Sequence, residues 1–578
     1  MDLSSSLFRS RAKRRASFLG SAQPQYAPPL GSEPERGPPP AAAEAEPTPR
    51  RARAAPRRAG SAFRDKLREL LIAERWLIVV PVVLPLSKAY EAYWRLRHVY
   101  YRELRNVARL VLLPRGRARF DHDARVASVV RQIRAWNERG RPGLLHTSRK
   151  SWQSVTVRAL DYKKERASAI DVELHDILEL DRERGTIKLE PRVNMAQVTR
   201  KLAPLGLTLP VVPELDDLTA GGLLLGYGIE SASHKYGLFA DTVRAAEVVL
   251  GDGRVVRASP HEHRDLFYAL PWSYGAHGML TALELPVIKA RPYVRLTYKA
   301  VNSLDEACRE FTRLATAAEP PEFLEALLFE RERGVLMIGD FADLPPGERP
   351  NRIGRFYKPW FYKHAEALAQ KGEVSEYIPL RDYYHRYTRS LYWHGELLVP
   401  FGNHPLFRHL LGWLMPPKVS LMRLIQTDAI RKYRDERNAV QDVLTPIRHL
   451  RACVEMVHRE FEVYPLWLCA HKMFRTDPQG MVGPSPNAGD SEMFVDVGLW
   501  QVPGFVKRGE AWDGHKAVRN MEAWARAHGA YQCLYAVTEQ HEDEFWRMFD
   551  RTLYASVRKA YGAAGAFMDV YDKVRRRD

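Results

Sequence analysis

The stretch GGLLLGYGIESASHKYG, residues 221–237, holds five glycines among leucines and small hydroxyl residues. Glycine at that density brings the backbone close to a neighbour, or gives it angles closed to other residues. Gly226-Tyr227-Gly228-Ile229-Glu230-Ser231 nearly matches G-x-G-x-x-G, the phosphate loop of a nucleotide-binding βαβ unit. That loop needs a preceding strand, a third glycine or alanine, and a following helix. Leu223–Leu225 could be the strand, but the third position is Ser231, and SASHKYGLFADT reads as a loop. The pattern fails two of three requirements, so a different constraint must explain the glycines.

The surrounding chain alternates helices and strands. In DHDARVASVVRQIRAWNERG, Val126, Val129, Val130 and Ile133 fall on one helical face, with Asp123 placed to cap it and Gly140 to close it. NMAQVTRKLAPLG predicts a helix with Met195, Val198, Leu202 and Leu205 on one side. Asn194 and Gln197 form a capping-box pattern there, and Gly206 ends it. TIKLEPRV and HGMLTALELPVI read as strands, and AAEVVLGDGRVVRA as a hairpin about Gly251-Asp252-Gly253. Residues 120–290 are thus a mixed α/β unit. Beyond 290 the chain becomes rich in Tyr, Trp, Phe, Arg and His, with no repeat period.

The net charge of +18 implies little about a nucleic-acid partner. Residues 1–60 carry 11 Lys/Arg against 5 Asp/Glu, a third of the excess, and the rest is spread out. A nucleic-acid binder concentrates its charge in a stripe with interleaved aromatics, so none is expected here. Ten prolines and many alanines make residues 1–62 a disordered basic tail suited to an anionic membrane surface. The apolar run Trp76–Ser87 has twelve residues, including Pro81 and Pro85, against the roughly 20 a spanning helix needs. Trp76, Tyr90, Tyr93, Trp94 and Tyr100 flank it, which favours a monotopic or kinked membrane anchor over a buried packing segment. Four scattered cysteines imply neither a disulfide framework nor a zinc ribbon, and His261 and His263 lie in a polar loop without a third ligand. No metal is expected.

A longer pattern absorbs the glycines. Leu209-Pro210, Gly221-Gly222, Gly226, Gly228, Ser231, Ser233, Tyr236-Gly237, Asp241-Thr242-Val243, Asp252-Gly253-Arg254-Val255, Asp265-Leu266-Phe267 and Gly278-Met279-Leu280-Thr281 follow in order. This ordered set resembles the FAD-binding domain of the vanillyl-alcohol-oxidase/p-cresol-methylhydroxylase (PCMH) superfamily. FYKPWFYKH, YIPLRDYYHRYTRS, PFGNHPLFR, GWLMPPK, VYPLWLC and DEFWRMFD narrow the resemblance to the Δ24-sterol reductases of the Diminuto type. It runs from about Glu74 to Lys573.

The resemblance implies an α+β chain. A membrane-associated segment at 63–105 would precede a PCMH-type two-subdomain FAD-binding domain at 106–290, then a substrate-covering domain at 291–578. It implies a flavin cradle of Pro213, Gly221, Gly222, Gly226, Gly228, Ile229, Ser231, Ser233, His234, Gly237 and Gly278. The first loop, HTSRKSW at 146–152, would contribute Thr147, Ser148 and Arg149. It lacks the superfamily's usual glycines, so charge from Arg149 or Lys150 would compensate. His146 reads as an untethered loop residue.

The implied reaction has NADPH reducing FAD and hydride passing to the C24–C25 double bond of a desmosterol-like sterol. An isolated trisubstituted alkene is not polarised for hydride attack, so a proton donor at C24 is needed. Tyr383, Tyr384 and His385 are the candidate acids, with Arg381 or Arg389 able to tune them. Two other readings stay open: an FAD oxidase or dehydrogenase of another alcohol, lactone or lipid, and a non-catalytic membrane-bound flavin-fold scaffold. A eukaryotic source implies the endoplasmic reticulum membrane, and a bacterial one the inner-membrane surface.

Overall fold

The computed structural model describes residues 74–93, 96–97, 100, 121–149, 163, 168–417 and 436–576. The tail at 1–62 and Lys150–Trp152 lie outside the described residues. Two antiparallel sheets dominate an α+β architecture. The first has five strands in the order Ile177–Asp181, Thr186–Leu189, Met279–Pro286, Ala245–Val249, Val255–Ala258. The expected hairpin is present, with Ala246 opposite Ala258 and Val249 opposite Val255.

The helix His122–Glu138 buries Val126, Val129 and Ile133 as its periodicity predicts, with Trp136 beside them, while Val130 is only half-buried against this core. Its cap is Asp121 rather than Asp123: the Asp121 carboxylate accepts from the His122 backbone N–H, and Asp123 lies in the first turn. Met195–Leu202 carries the Asn194–Gln197 capping box, and Gly206 closes the segment at φ 68°. Leu205 does not join the buried stripe. Residues Ala203–Leu205 tighten to three per turn, which rotates Leu205 outward.

Leu223–Leu225 lie in a helix, Ala220–Leu225, and not in a strand. The stretch after it is also not loop throughout, because Ser233–Tyr236 make one helical turn and Phe239–Thr242 a tighter one. Both turns are too short to show an apolar period, so the pattern could not reveal them. Near the start of the described chain, Trp76–Ile78 leads into a π-helical turn at Val79–Val83 that holds Pro81. Proline has no N–H for the usual bond, and the helix widens around it. Val79, Val83 and Leu84 join the main core, while Leu77, Ile78, Val82 and Leu86 stay exposed. Among the described residues no helix is long and apolar enough to cross a membrane.

The second sheet has eight strands: Val374–Pro379, Tyr293–Val301, Arg333–Ala342, Phe323–Glu330, Leu466–Phe474, Ser491–Gln501, Ala439–Pro446 and Tyr531–Gln532. Every neighbouring pair is antiparallel. Its register sorts the side chains sharply. Glu325 lies opposite Cys469, Cys469 opposite Asp496, Asp496 opposite Leu444, and Asp442 opposite Gly498. Directly opposed residues share a face, so Glu325, Asp496 and Asp442 all point one way. Among the alternate residues Leu324, Ala326, Leu468, Val495, Val497 and Val443 are apolar, while Gln441 and Thr445 are buried polar exceptions. Helices Leu304–Ala315, Leu450–Glu460 and Gly514–Ala527 pack against this sheet.

The chain then returns to the first half. Leu145 bridges Phe567 in parallel, and Ala563, Ala566 and Phe567 complete the small core around Trp136. Gly251 of the hairpin is part of this closure, since a methyl group there would lie 2.6 Å from Ala566 Cβ. Gly251→Ala should cost about 1–3 kcal/mol by overpacking. Urea denaturation of the FAD-loaded protein measures this, and an unchanged midpoint would contradict the tight closure.

Candidate active site

The glycine-rich stretch lies between the two sheets and is fixed to the larger one by its backbone. Ser231 O accepts from Leu324 N at 2.7 Å. His234 Nε2 lies 2.8 Å from Pro321 O; a carbonyl only accepts, so this nitrogen carries the proton. Burial lowers the His234 pKa to about 4, keeping the ring neutral. Lys235 Nζ and the Tyr236 hydroxyl both reach Glu322, at 2.5 and 3.0 Å.

Several glycines are required by the protein itself. A Cβ at Gly221 would meet Pro191 Cβ at 2.6 Å, and one at Gly228 would meet Leu223 Cδ2 at 2.8 Å. At Gly237, with φ +80°, it would meet Asp241 Oδ2 at 2.7 Å, and Gly278 is closed off by Val248. Gly226 packs under the Tyr274 ring, and Gly222 has only the Thr219 hydroxyl at 3.1 Å. The turn above Gly226 is strained, with positive φ at Trp272 and Tyr274. Such outliers persist where surrounding structure over-determines them, often at functional sites. Pro213, Ile229, Ser231 and Ser233 are all buried.

Three consecutive candidate acids point to three different places. The Tyr383 hydroxyl lies 2.9 Å from Ser231 Oγ, in the glycine-rich stretch. Tyr384 accepts from Thr208 Oγ1 at 2.9 Å, and His385 bonds Thr199 and Asp216. Burial pushes the Tyr383 and Tyr384 phenols well above their ordinary range. Arg389 spends its donors on the carbonyls of Arg355, Lys358 and Pro359.

The residue that organises this region is Arg386, which the sequence reading passed over. Its guanidinium is buried and donates to Glu230 at 2.5 Å, Glu325 at 2.8 Å and the Tyr383 carbonyl at 2.9 Å. It stacks over the Tyr383 and Tyr387 rings, at 4.3 and 4.9 Å. Glu325 also accepts from Tyr387 and Trp467. On the other side of the stretch, the Tyr227 hydroxyl donates to Asp496 at 3.0 Å. Asp496 and Asp442 converge with Cys533 in a buried group whose atoms lie within 4.8 Å of one another. Lone acids inside apolar strand words, VQDVLTP and MFVDVGLW, were the available signal for these two.

The first loop is cationic where glycines are missing. His146–Thr147 pairs in parallel with Ala169–Ile170, and Lys163 donates to the Arg149 carbonyl at 2.8 Å. Burial, then the charge of Arg149, lowers the Lys163 pKa to about 8. Burial also lowers Arg149, and the neighbouring charge of Arg192 adds to it. Crowded, partly desolvated cations of this kind are a setting that an anionic ligand relieves.

A family model described as an FAD binding domain matches residues 124–259. The Delta(24)-sterol reductase of Arabidopsis thaliana is 42% identical, and the match covers 87% of this chain and 91% of that protein. Those of Pisum sativum and Homo sapiens are 43% and 40% identical, again across 87% of this chain. The chain belongs to the Delta(24)-sterol reductase family. The residues fit the FAD that its domain type binds. Arg149 and Lys163 offer charge for a pyrophosphate, and the glycine-rich stretch offers small residues beside the acidic face of the larger sheet.

Arg386→Met should destabilise the protein by about 3–5 kcal/mol, because Glu230 and Glu325 would be left buried without a counter-charge. Arg386→Lys should recover only part of this, lacking the forked donors. Thermal unfolding of the two variants against the parent measures the order, and equal stabilities would refute it.

Proposed function

We propose that the chain reduces the C24–C25 double bond of a sterol side chain, with FAD as hydride carrier and NADPH as the hydride source. The observation that carries this reading is the dry layer between the glycine-rich stretch and the larger sheet. It is lined by aromatic rings and by carboxyl groups, in a member of a sterol-reductase family. FAD, when bound, would supply the hydride. The protein would hold the side chain, exclude water and provide the proton that an unpolarised alkene requires. Thr147, Ser148, Arg149 and Lys163 would hold the pyrophosphate, with Gly222 and the backbone of 226–234 alongside.

A sterol reaches such a site from a membrane, and an exposed apolar face supports this route. Leu406, Leu410 and Trp413 are more than half exposed, at 64%, 62% and 53%. Phe356, Tyr357, Phe401 and Leu411 are also exposed. The Trp76 ring meets Phe401 edge-on at 5.2 Å, and the Arg75 side chain bonds the Leu397 carbonyl. The patch is therefore continuous with the exposed side of the Trp76–Leu86 segment. Arg355 and Lys358 lie among these residues. Apolar and aromatic groups at the centre with cations beside them suit a monotopic face on an anionic bilayer.

Two measurements test the reading. Under anaerobic conditions NADPH should bleach the yellow holoprotein, and desmosterol should restore the colour. Bleaching by a small alcohol or lactone instead would favour an oxidase. For the membrane face, Leu410→Glu with Trp413→Glu should abolish flotation with vesicles containing anionic lipid and sterol, at little cost in stability because both sites are exposed. Undiminished flotation would remove this face from the binding surface.

A further inference from the structure

Between the glycine-rich stretch and the larger sheet lie five carboxyl groups: Glu214, Glu230, Glu325, Asp442 and Asp496. Each is at most 4% exposed. They form one connected set. Glu214 lies close beside Glu230, Arg386 bridges Glu230 and Glu325, and Glu214 is close enough to Asp496 to act on its charge. Among the described residues only Arg386 is hydrogen-bonded to the set as a counter-charge. An unpaired carboxylate costs far too much in such surroundings, and the group keeps a proton instead. Burial raises Glu214, Asp442 and Asp496 well above the carboxylate range, and the nearby charges of Glu230, Asp496 and Glu214, respectively, add to it.

Both members of the aspartate pair have unfilled capacity, as Glu230 has at Oε2. Asp496 Oδ2 accepts from Tyr227, and the Tyr535 hydroxyl, which itself accepts from Trp500 Nε1, stands beside Asp442. Oδ1 of both aspartates is fully buried and has no hydrogen-bond partner. Around the pair stand Tyr227 from the glycine-rich stretch, Cys469 from the neighbouring strand, Cys533 and Tyr535 from the C-terminal part, and Glu214. Burial raises both thiols, with Glu230, Glu325 and Asp496 adding to it at Cys469 and Asp496 and Asp442 at Cys533, so both stay neutral and bring no charge to the pair. Two like carboxyls without a cation hold at least one proton between them, as a shared acid.

We infer that the Asp442–Asp496 pair, and not Tyr383, Tyr384 or His385, is the acid that protonates C24 of the sterol side chain. The inference rests on the sterol-reductase reading above. The π electrons of the C24–C25 bond take the proton and form the new C24–H bond, and the hydride supplied at C25 completes the reduction. The pair enters the step with both carboxyls protonated; the aspartate left ionised shares its partner's proton until the product leaves and a solvent proton restores the second. A carboxylic acid that keeps its proton at neutral pH is a far stronger donor than a phenol shifted upward by burial. Tyr227 holds Asp496 in place and ties the acid to the stretch of chain beside the cofactor.

The test uses full-length holoprotein reduced with dithionite, so that the hydride source plays no part. Reoxidation by desmosterol should slow roughly 100-fold or more in Asp442→Asn and Asp496→Asn, and Tyr383→Phe should be much milder. If the parent protein is not reoxidised by desmosterol, the sterol reading fails and takes this proposal with it. If the parent is reoxidised and both Asn variants keep its rate, the proposal alone fails. A second readout needs no turnover. Both aspartates are raised in the folded state, so the stability their protonation confers falls as pH climbs above the unfolded value of about 3.9. The doubly substituted Asn protein should therefore gain in Tm over the parent as pH rises. A Tm difference that does not vary with pH would overturn the shared proton.

Discussion

The bridge from Arg386 to Glu230 and Glu325 is the contact on which the arrangement of this molecule depends. Glu230 belongs to the glycine-rich stretch, Glu325 to the central strand of the larger sheet, and Arg386 to the segment beyond its edge strand. One guanidinium therefore sets the spacing between the two halves of the site. Its five donors suit this role because a planar fork fixes direction as well as distance. A buried pair is poor evidence of net stability, since desolvation offsets the attraction. What it contributes here is position: Ser231 cannot leave Tyr383, nor Tyr387 leave Glu325, without breaking a buried charge contact.

That position determines the electrostatics of everything around it. With one cation committed to two carboxylates, the remaining buried acids of the layer face each other without compensation. A dry wall of this kind stores protons, because releasing them would place charge where water cannot follow. The first loop shows the opposite imbalance, with Arg149 and Lys163 crowded and lowered. Under the proposed function, a flavin dinucleotide would span both ends. Its pyrophosphate is anionic, and the ring system that carries the redox chemistry is largely apolar.

The sequence exposed the flavin half well and the acidic layer poorly. The helix at His122–Glu138, the capping box at Asn194 and the hairpin about Gly251 are local, and local patterns specify them. Asp121 displaced Asp123 as the cap because both are aspartates two residues apart, and periodicity fixes a boundary no better than that. The glycines serve the protein's own packing as well as a ligand-sized approach. Gly221, Gly228 and Gly278 are demanded by Pro191, Leu223 and Val248, contacts that no spacing rule reports. Arg386 stood one residue beyond the three acids singled out. A helical turn sends neighbours in different directions, so adjacency in sequence said little about which side chain would enter the layer.

The larger sheet explains why the acids were hardest to read. Its central strands are largely apolar in sequence, so Asp442 and Asp496 appear as isolated charges in hydrophobic words. An isolated charge in a strand usually marks an exposed face or an edge. Only the register shows that these two, with Glu325, project together toward the glycine-rich stretch. Selection for stability alone would replace them with apolar residues of similar volume, which serve a buried face as well or better. Their position on the one face that meets the glycine-rich stretch fits the proposed role in proton handling better than one in packing.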